Sequence, residues 1–531
     1  RVLFRSVRAL NKKEREGLIM NLRKMTALLC CGVMIAGALF SGCGNAAESS
    51  RSNGAGESDA GTVASSEIDS ATSAGEDSAY TVRVWGYGDA NSDDLKAVSE
   101  KISEITRGKI GVNVDLYRTM DSEKLNLALT SGEKMDLVCI HGMSLSTLIS
   151  TGRILPLDEL FEEYAKDVKA VVSDEDLRCG RTEGILYTLP TNNDNARASG
   201  FAMRKDIVEA LDIDASKIKS LEDMHEVLVQ VKEAYPDIYP LVPTWAGGGM
   251  QSIFHTDNIG PGNLGVLEDA TTDSTTVVNL YETEEYRNFV YTMYQWQQEG
   301  LIMPDATTTT ENNPIGSVGF ASFENIIPGK ELDVKKKAGI DAVLAEITPA
   351  IKNTDMVTGT FCIAAASENP AKAMELYNLM YTDPEVANLL TNGIEGKHYE
   401  FVDDSKKMIK LPEGAAEGST GYTSLDWAWP NCMITPVWEG GDPDLWKKMD
   451  DFNKSAISSP ALGFQFDSAA VMNEVTACQN VQQKYTTALS WGTLNPDEAL
   501  PQFNKELKDA GLDTIIAEVQ SQLDAWLSDN K

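Results

Sequence analysis

The densest run of residues suited to holding a ligand is Tyr422-Thr-Ser-Leu-Asp-Trp-Ala-Trp429, followed by Trp438-Glu439. Two tryptophans at i and i+2 share one side only in an extended segment, and Pro430 and Thr435-Pro436 favour a loop here. Trp427 and Trp429 are therefore better candidates for a binding face than Trp296, Trp446 or Trp526, which fall at helical spacing. Trp245, just before Gly247-Gly-Gly249, is a comparable candidate. Flat rings of this kind can cover the apolar face of a hydroxyl-bearing ligand. Carboxylates and amides would then satisfy its in-plane hydroxyls, since an unpaired buried polar group costs about 1–3 kcal/mol. Catalytic equipment is thin. His141, His225, His255 and His398 are scattered, without metal-ligand spacing. There is no Gly-x-Ser-x-Gly nucleophile turn and no Gly-rich phosphate loop carrying a lysine. Among 80 acidic residues some pair will sit at glycosidase spacing by chance, so carboxylates alone do not argue hydrolysis. The run Asn192-Asn-Asp-Asn195 could face calcium, but it lacks helix-loop-helix spacing and reads as a solvated turn.

The elements around these residues begin with a strand over Tyr80-Thr-Val-Arg-Val-Trp85, by alternation and β-branching, left through Gly86-Tyr87-Gly88-Asp89. Leu95, Val98, Ile102 and Ile105 recur at helical spacing over Asp93 to Thr106, with Gly108 as the stop. Gly111 to Leu116 is a second strand, Ser122 opens a second helix ended by Gly132, and Met135 to Ile140 is a third, more continuously apolar strand. The β-α-β-α-β alternation predicts a parallel sheet with helices on both faces. Ligands of such sheets lie beyond the carboxyl ends of the strands, where Tyr87, Asp89 and His141 fall. Gly184 to Pro190 reads as a strand leading into the Thr191 to Asn195 cluster, and Ser199 to Arg204 as another. Asn369-Pro370 and Asp383-Pro384 open helices, as Asn495-Pro496 does for a terminal pair.

With these segments in place the chain resembles the family 1 extracellular solute-binding proteins, the substrate-capturing lipoproteins of ATP-driven sugar importers, and within them a subgroup ending in a long tail of uncharacterised type. The likeness rests on Ser131-Gly-Glu-Lys-Met-Asp-Leu137, Ile154-Leu-Pro-Leu-Asp158, Gly184 to Pro190, Ala366 to Leu376 with Tyr381-Thr-Asp-Pro-Glu385, Gly393 to Tyr399, and the tail from Gly463-Phe-Gln-Phe-Asp467 to Leu527. It implies an α/β fold of two lobes with a hinge and a ligand cleft between them. The first lobe would take residues 80–198 and 346–391, the second 199–345 and 392–531 with the helical tail. The crossings would fall near 195–200, near 348–358 and after 391. In that frame Asn193 and Asp194 lie beside a crossing and Glu324 follows a strand of the second lobe, joining Tyr87, Asp89, His141, Trp245, Trp427 and Trp429 as expected ligand contacts. Glu395 and His398 are as much hinge candidates as contacts. The resemblance also implies a non-catalytic monomer that needs no cofactor or metal, captures an oligosaccharide and passes it to the permease subunits of an ABC-type importer. A peptide-binding or other non-sugar member of the fold is the alternative, and a surface glycoside hydrolase a more distant one.

Arg23 and Lys24 precede an apolar run from Met25 to Phe40, which ends in Leu39-Phe-Ser-Gly-Cys43. A basic start, a short apolar stretch and small residues make an export signal, and its end resembles the lipobox of bacterial lipoproteins. The expected product is acylated on Cys43 and held at the outer face of a cell membrane, in a Gram-positive-type bacterium. The signal would occupy residues 20–42. Residues 1–19 read as translated upstream sequence, because Lys12-Lys-Glu-Arg-Glu-Gly17 can be encoded by purine codons alone. Residues 43–79 form the expected tether. From Gly44 to Ser78, 21 of 35 residues are Ser, Ala or Gly, which cannot bury enough surface to order themselves. The net charge of −34, concentrated after a basic leader, excludes nucleic-acid binding. Cys139, Cys179, Cys362, Cys432 and Cys478 sit without close pairing and are expected as buried free thiols.

Overall fold

The computed structural model describes residues 79–248, 253–355, 357, 359–416 and 418–529. The expected signal, Cys43 and nearly all of the tether lie outside them. No helix among the described residues is long and apolar enough to cross a membrane.

Two sheets organise the chain, each with its own core. In the first, the strands run in the order Val112–Thr119, Tyr80–Tyr87, Leu137–Cys139, Gly359–Ile363, Leu189–Pro190. The first three are parallel, with Tyr80 opposite Val112 and Val84 opposite Leu137, as the β-α-β-α-β alternation requires. The connecting helix Ser92–Ile110 starts where the Asn91 side chain accepts from the Asp94 amide and stops at Gly111 in the left-handed region. Val82, Val84, Val98, Ile102, Phe361 and Tyr377 fill the core beneath. The stretch 184–190, expected as one strand, is two. Ile185–Leu186 folds back on Arg181–Thr182, and only Leu189–Pro190 reaches the sheet.

The second sheet runs Ala342–Glu346, Ala198–Arg204, Gly319–Ile326, Tyr239–Leu241. Its core takes in Phe201, Phe323 and Trp296, and also Cys478, Phe503, Ile515 and Leu523 from the tail helices Met472–Ser490, Pro496–Asp509 and Leu512–Asp529. The chain leaves the first sheet at Pro190, enters the second at Ala198, leaves it at Glu346 and re-enters the first at Gly359. Between the sheets Arg197 bridges to Ile351, and Ile351–Lys352 pairs with Ile457–Ser458.

The cores do not divide at residue 391. Tyr422 and Trp429 belong to the first core, and Ala90 bridges to Tyr422. His398 is buried and donates from Nε2 to Asp94 Oδ1 at 3.0 Å, while its Nδ1 accepts from the Ile394 amide at 2.8 Å. Lys397 pairs with the same Asp94 carboxylate. These contacts pin the Gly393–Tyr399 turn to the start of helix Ser92–Ile110, so residues 393–399 and 421–429 pack on the first lobe rather than the second. The five cysteines are free and buried.

Candidate functional site

Three of the expected residues converge at the carboxyl edge of the first sheet. Tyr87 ends its strand, and His141 lies just past the neighbouring strand Leu137–Cys139. Trp427 sits in the 3-10 turn Asp426–Ala428, far along the chain. Their ring centroids are 4.8 Å apart for Tyr87 and His141, 5.6 Å for Tyr87 and Trp427, and 5.1 Å for His141 and Trp427. Trp427 keeps 37% of its surface exposed, a large apolar face left open to solvent. Desolvation holds the His141 imidazole below its ordinary value, so the ring is neutral at physiological pH.

The chain that carries Trp427 is stitched to the polar cluster at the crossing. The Asn193 side-chain amide donates to the Trp427 carbonyl at 3.3 Å. Asn192 donates to Asn431 Oδ1 at 3.0 Å, and its backbone amide to the Pro430 carbonyl at 2.7 Å. Asp194 faces Arg197 at 3.5 Å. Asp426, which carries no sequence signal of its own although it adjoins Trp427, is exposed. Desolvation pushes its carboxyl above the usual carboxylate range, against the bond from the Trp427 amide at 2.9 Å; Asp194 adds to the push and Lys336 opposes it. Asp89 is exposed on the rim, where its carbonyl accepts from the Thr423 amide at 3.1 Å.

Trp429 does not join this face. It is 1% exposed and stacked on Phe361, with centroids 5.6 Å apart and planes 21° from parallel. Its ring occupies the space a side chain at Gly86 would need, since a Cβ there would lie 2.7 Å from the indole. Trp429 is a core residue, and the expectation that it contacts ligand is corrected.

On the second lobe, Trp245 is 40% exposed and Glu324 is 7% exposed. They are neighbours through Thr244, whose hydroxyl donates to the Phe323 carbonyl at 2.8 Å. Burial pushes the Glu324 carboxyl upward, against the ammonium of Lys330 at 3.6 Å. Among the described residues no hydrogen bond or ring contact joins this pair to the aromatic trio. Lys336, on the helix Lys330–Ala338, lies 5.2 Å from the Trp438 ring centroid. An open basin of about 830 Å³ on the second lobe, between Tyr281 and Asp509, contains none of these residues.

The crossing itself holds a second acidic group. Asp257 is 1% exposed, accepts from the Ser459 hydroxyl at 2.5 Å, and is also hydrogen-bonded by the Asn353 side chain. Burial raises its carboxyl to about 6, with Asp355 adding to the push. A raised acid in the folded state favours folding below its unfolded value and loses that advantage as pH rises through about 6. Asp257→Asn is therefore expected to stabilise the protein at pH 8 by up to about 2 kcal/mol and to do little at pH 4. Thermal melts of both proteins at the two pH values check this, and an equal shift at both would refute it.

Three comparisons with known proteins bear on this arrangement. Residues 111–387, just over half of the chain, match the model of the bacterial extracellular solute-binding protein family. Residues 460–528 match a domain of unknown function, DUF3502. The chain belongs to the bacterial extracellular solute-binding proteins. It is 28% identical over 466 residues to a carbohydrate ABC transporter substrate-binding protein of Streptococcus pneumoniae serotype 4 (strain ATCC BAA-334 / TIGR4), covering 85% of this chain and 91% of that one. Among solved structures it is similar to the N-glycan transport solute binding protein NgtS of Streptococcus pneumoniae, at 26% identity and a TM-score of 0.76 over 85% of this chain and 100% of that one. The same relative in complex with Man5GlcNAc gives a TM-score of 0.64, at 26% identity over 85% of this chain and 99% of that one. The two-lobed solute-binding fold follows from these likenesses, and so does an extracytoplasmic setting.

Proposed function

We propose that this chain captures an oligosaccharide between its lobes and delivers it to an ABC-type importer, without breaking a bond in it. The observation that carries the reading is the exposed face of Trp427, backed by Tyr87 and His141 and flanked by Asp426, Asn193 and Asp194. An aromatic platform beside carboxylates and amides suits a pyranose, whose C–H face stacks while its hydroxyls donate in plane. Trp245 and Glu324 would meet the sugar from the second lobe when the lobes close. The chain's better match to the relative without a named glycan than to its Man5GlcNAc complex supports an open state here, as hinge closure requires. The carbohydrate-transport names of the relatives at 26–28% identity support the ligand class. The carboxylates of Asp426 and Asp194 disfavour anionic sugars, because a uronate or sialate carboxylate would be repelled by them.

Delivery from the outer membrane face by a lipid on Cys43 completes the reading. The lipobox-like end of the leader and the Ser-, Ala- and Gly-rich stretch after it support it. Globomycin treatment of expressing cells should retain the leader, and palmitate labelling should be lost in Cys43→Ala.

Titration with a panel of neutral oligosaccharides that includes Man5GlcNAc is expected to give saturable 1:1 binding, a change in tryptophan emission and a smaller radius of gyration by X-ray scattering. Chromatography of the glycan after incubation should show it intact. Flat titrations across the panel together with peptide binding would replace this reading with the non-sugar one, and released reducing ends would replace it with hydrolysis.

A further inference from the structure

Beneath the aromatic face lies a buried cation that the binding site does not touch. Arg118, on the strand Val112–Thr119, is 4% exposed. Among the described residues no carboxylate pairs with it. One Nη donates to the Thr423 carbonyl at 2.9 Å, while Nε and the other Nη have no partner. Its compensation is aromatic. The guanidinium carbon lies 4.5 Å from the Tyr422 ring centroid and 5.6 Å from that of Trp429. The stack continues outward on both sides, with His398 on Tyr422 at 5.3 Å and Phe361 on Trp429 at 5.6 Å. Gly88 closes the slot from above. Its φ of 128° and a hypothetical Cβ only 2.1 Å from the guanidinium both demand glycine there.

Burying an arginine without a carboxylate is costly, and an apolar residue of similar length would fill the slot without that cost. What the arginine adds is planarity and a fixed fork of donors. The segment it grips, 422–429, has little regular structure of its own: one 3-10 turn and an isolated bridge. That segment bears Asp426 and Trp427.

We infer that Arg118 is a positioning residue for ligand capture: clamped between Tyr422 and Trp429, it fixes the height and tilt of segment 422–429 and so aims the Trp427 ring and the Asp426 carboxylate into the cleft. The binding arm of the test rests on the saccharide reading above; the spectroscopic arm does not. Arg118→Met keeps the length and removes the planar cation. Arg118→Lys keeps the charge and a donor for Thr423 but cannot stack as a plane. Each is compared with its own Trp427→Phe partner, so that the near-UV circular dichroism and iodide quenching of Trp427 are obtained by difference in ligand-free protein. Both variants are expected to alter the Trp427 signal, with Met the more so. Both should weaken Man5GlcNAc binding by roughly tenfold or more, by calorimetry at unchanged stoichiometry. A lowered melting temperature with wild-type Trp427 signal and wild-type affinity would make Arg118 a stabiliser only and overturn the inference. Failure of both variants to fold would overturn it likewise. If the wild-type protein ignores Man5GlcNAc, the choice of glycan is wrong and the Trp427 signal alone decides the role of Arg118.

Discussion

Trp427→Ala is expected to weaken oligosaccharide binding by about 2 kcal/mol or more, roughly 30-fold, while changing stability by less than about 1.5 kcal/mol. The two numbers follow from the same geometry. With 37% of its surface open, the indole gives up less burial on truncation in the unliganded protein than an enclosed ring such as Trp429 would. What it loses is edge contact with Tyr87 and His141, at 5.6 and 5.1 Å, worth about 0.5–1.5 kcal/mol for such a pair. In the complex the open face is covered, and its removal forfeits both the buried area and the platform that orients the sugar's hydroxyls toward Asp426 and Asn193. Trp427→Phe should recover part of the affinity, since a smaller flat face remains. Calorimetric titration beside urea denaturation separates the two effects. Unchanged affinity in Trp427→Ala would remove the aromatic platform from the proposed site and leave only the second-lobe pair, Trp245 and Glu324, to argue for a saccharide.

Trp427 and Trp429 show what could be read from the chain and what could not. Their Pro-rich surroundings placed both in a loop, and both are in one. An extended backbone would have put the two rings on one side. The 3-10 turn Asp426–Ala428 breaks that alternation, so Trp427 faces outward and Trp429, back in extended conformation, turns into the core. Nothing local distinguishes them. What decides is the pair of gaps at Gly86 and Gly88, more than three hundred residues earlier, which admit Trp429 and Arg118. The parallel sheet was legible because period-2 strands and period-3.6 helices alternate over Tyr80 to Ile140, a pattern set by near neighbours. The packing of 393–399 and 421–429 on the first lobe was not, because it depends on Asp94 meeting His398 and Ala90 meeting Tyr422. Such long-range pairings leave no periodic trace. Asp426 has no local signature for a related reason: an acid in a strongly acidic chain is unremarked until its neighbours in space are known.

Trp429→Ala is expected to show the complementary phenotype, a loss of about 3–5 kcal/mol in stability of the first lobe. The ring is fully enclosed among Gly86, Phe361 and the Arg118 guanidinium. Truncation would open a cavity that a strand of a five-stranded sheet cannot collapse to fill, and would strip one of the two aromatic faces from a buried cation. Arg118 then adds to the cost: with Trp429 gone, only the Tyr422 ring and the Thr423 carbonyl offset its desolvation. Trp429→Phe should be milder, because a phenyl ring keeps the stack between Phe361 and Arg118 while leaving a smaller void. The double variant Arg118→Met/Trp429→Ala should be less destabilised than the sum of the singles, since removing the cation removes the need to compensate it. Calorimetric melts resolving the two lobes measure this. Additive losses would mean that the indole and the guanidinium stabilise the lobe independently. Their stacking would then be mere adjacency rather than a way of holding a charge inside the fold.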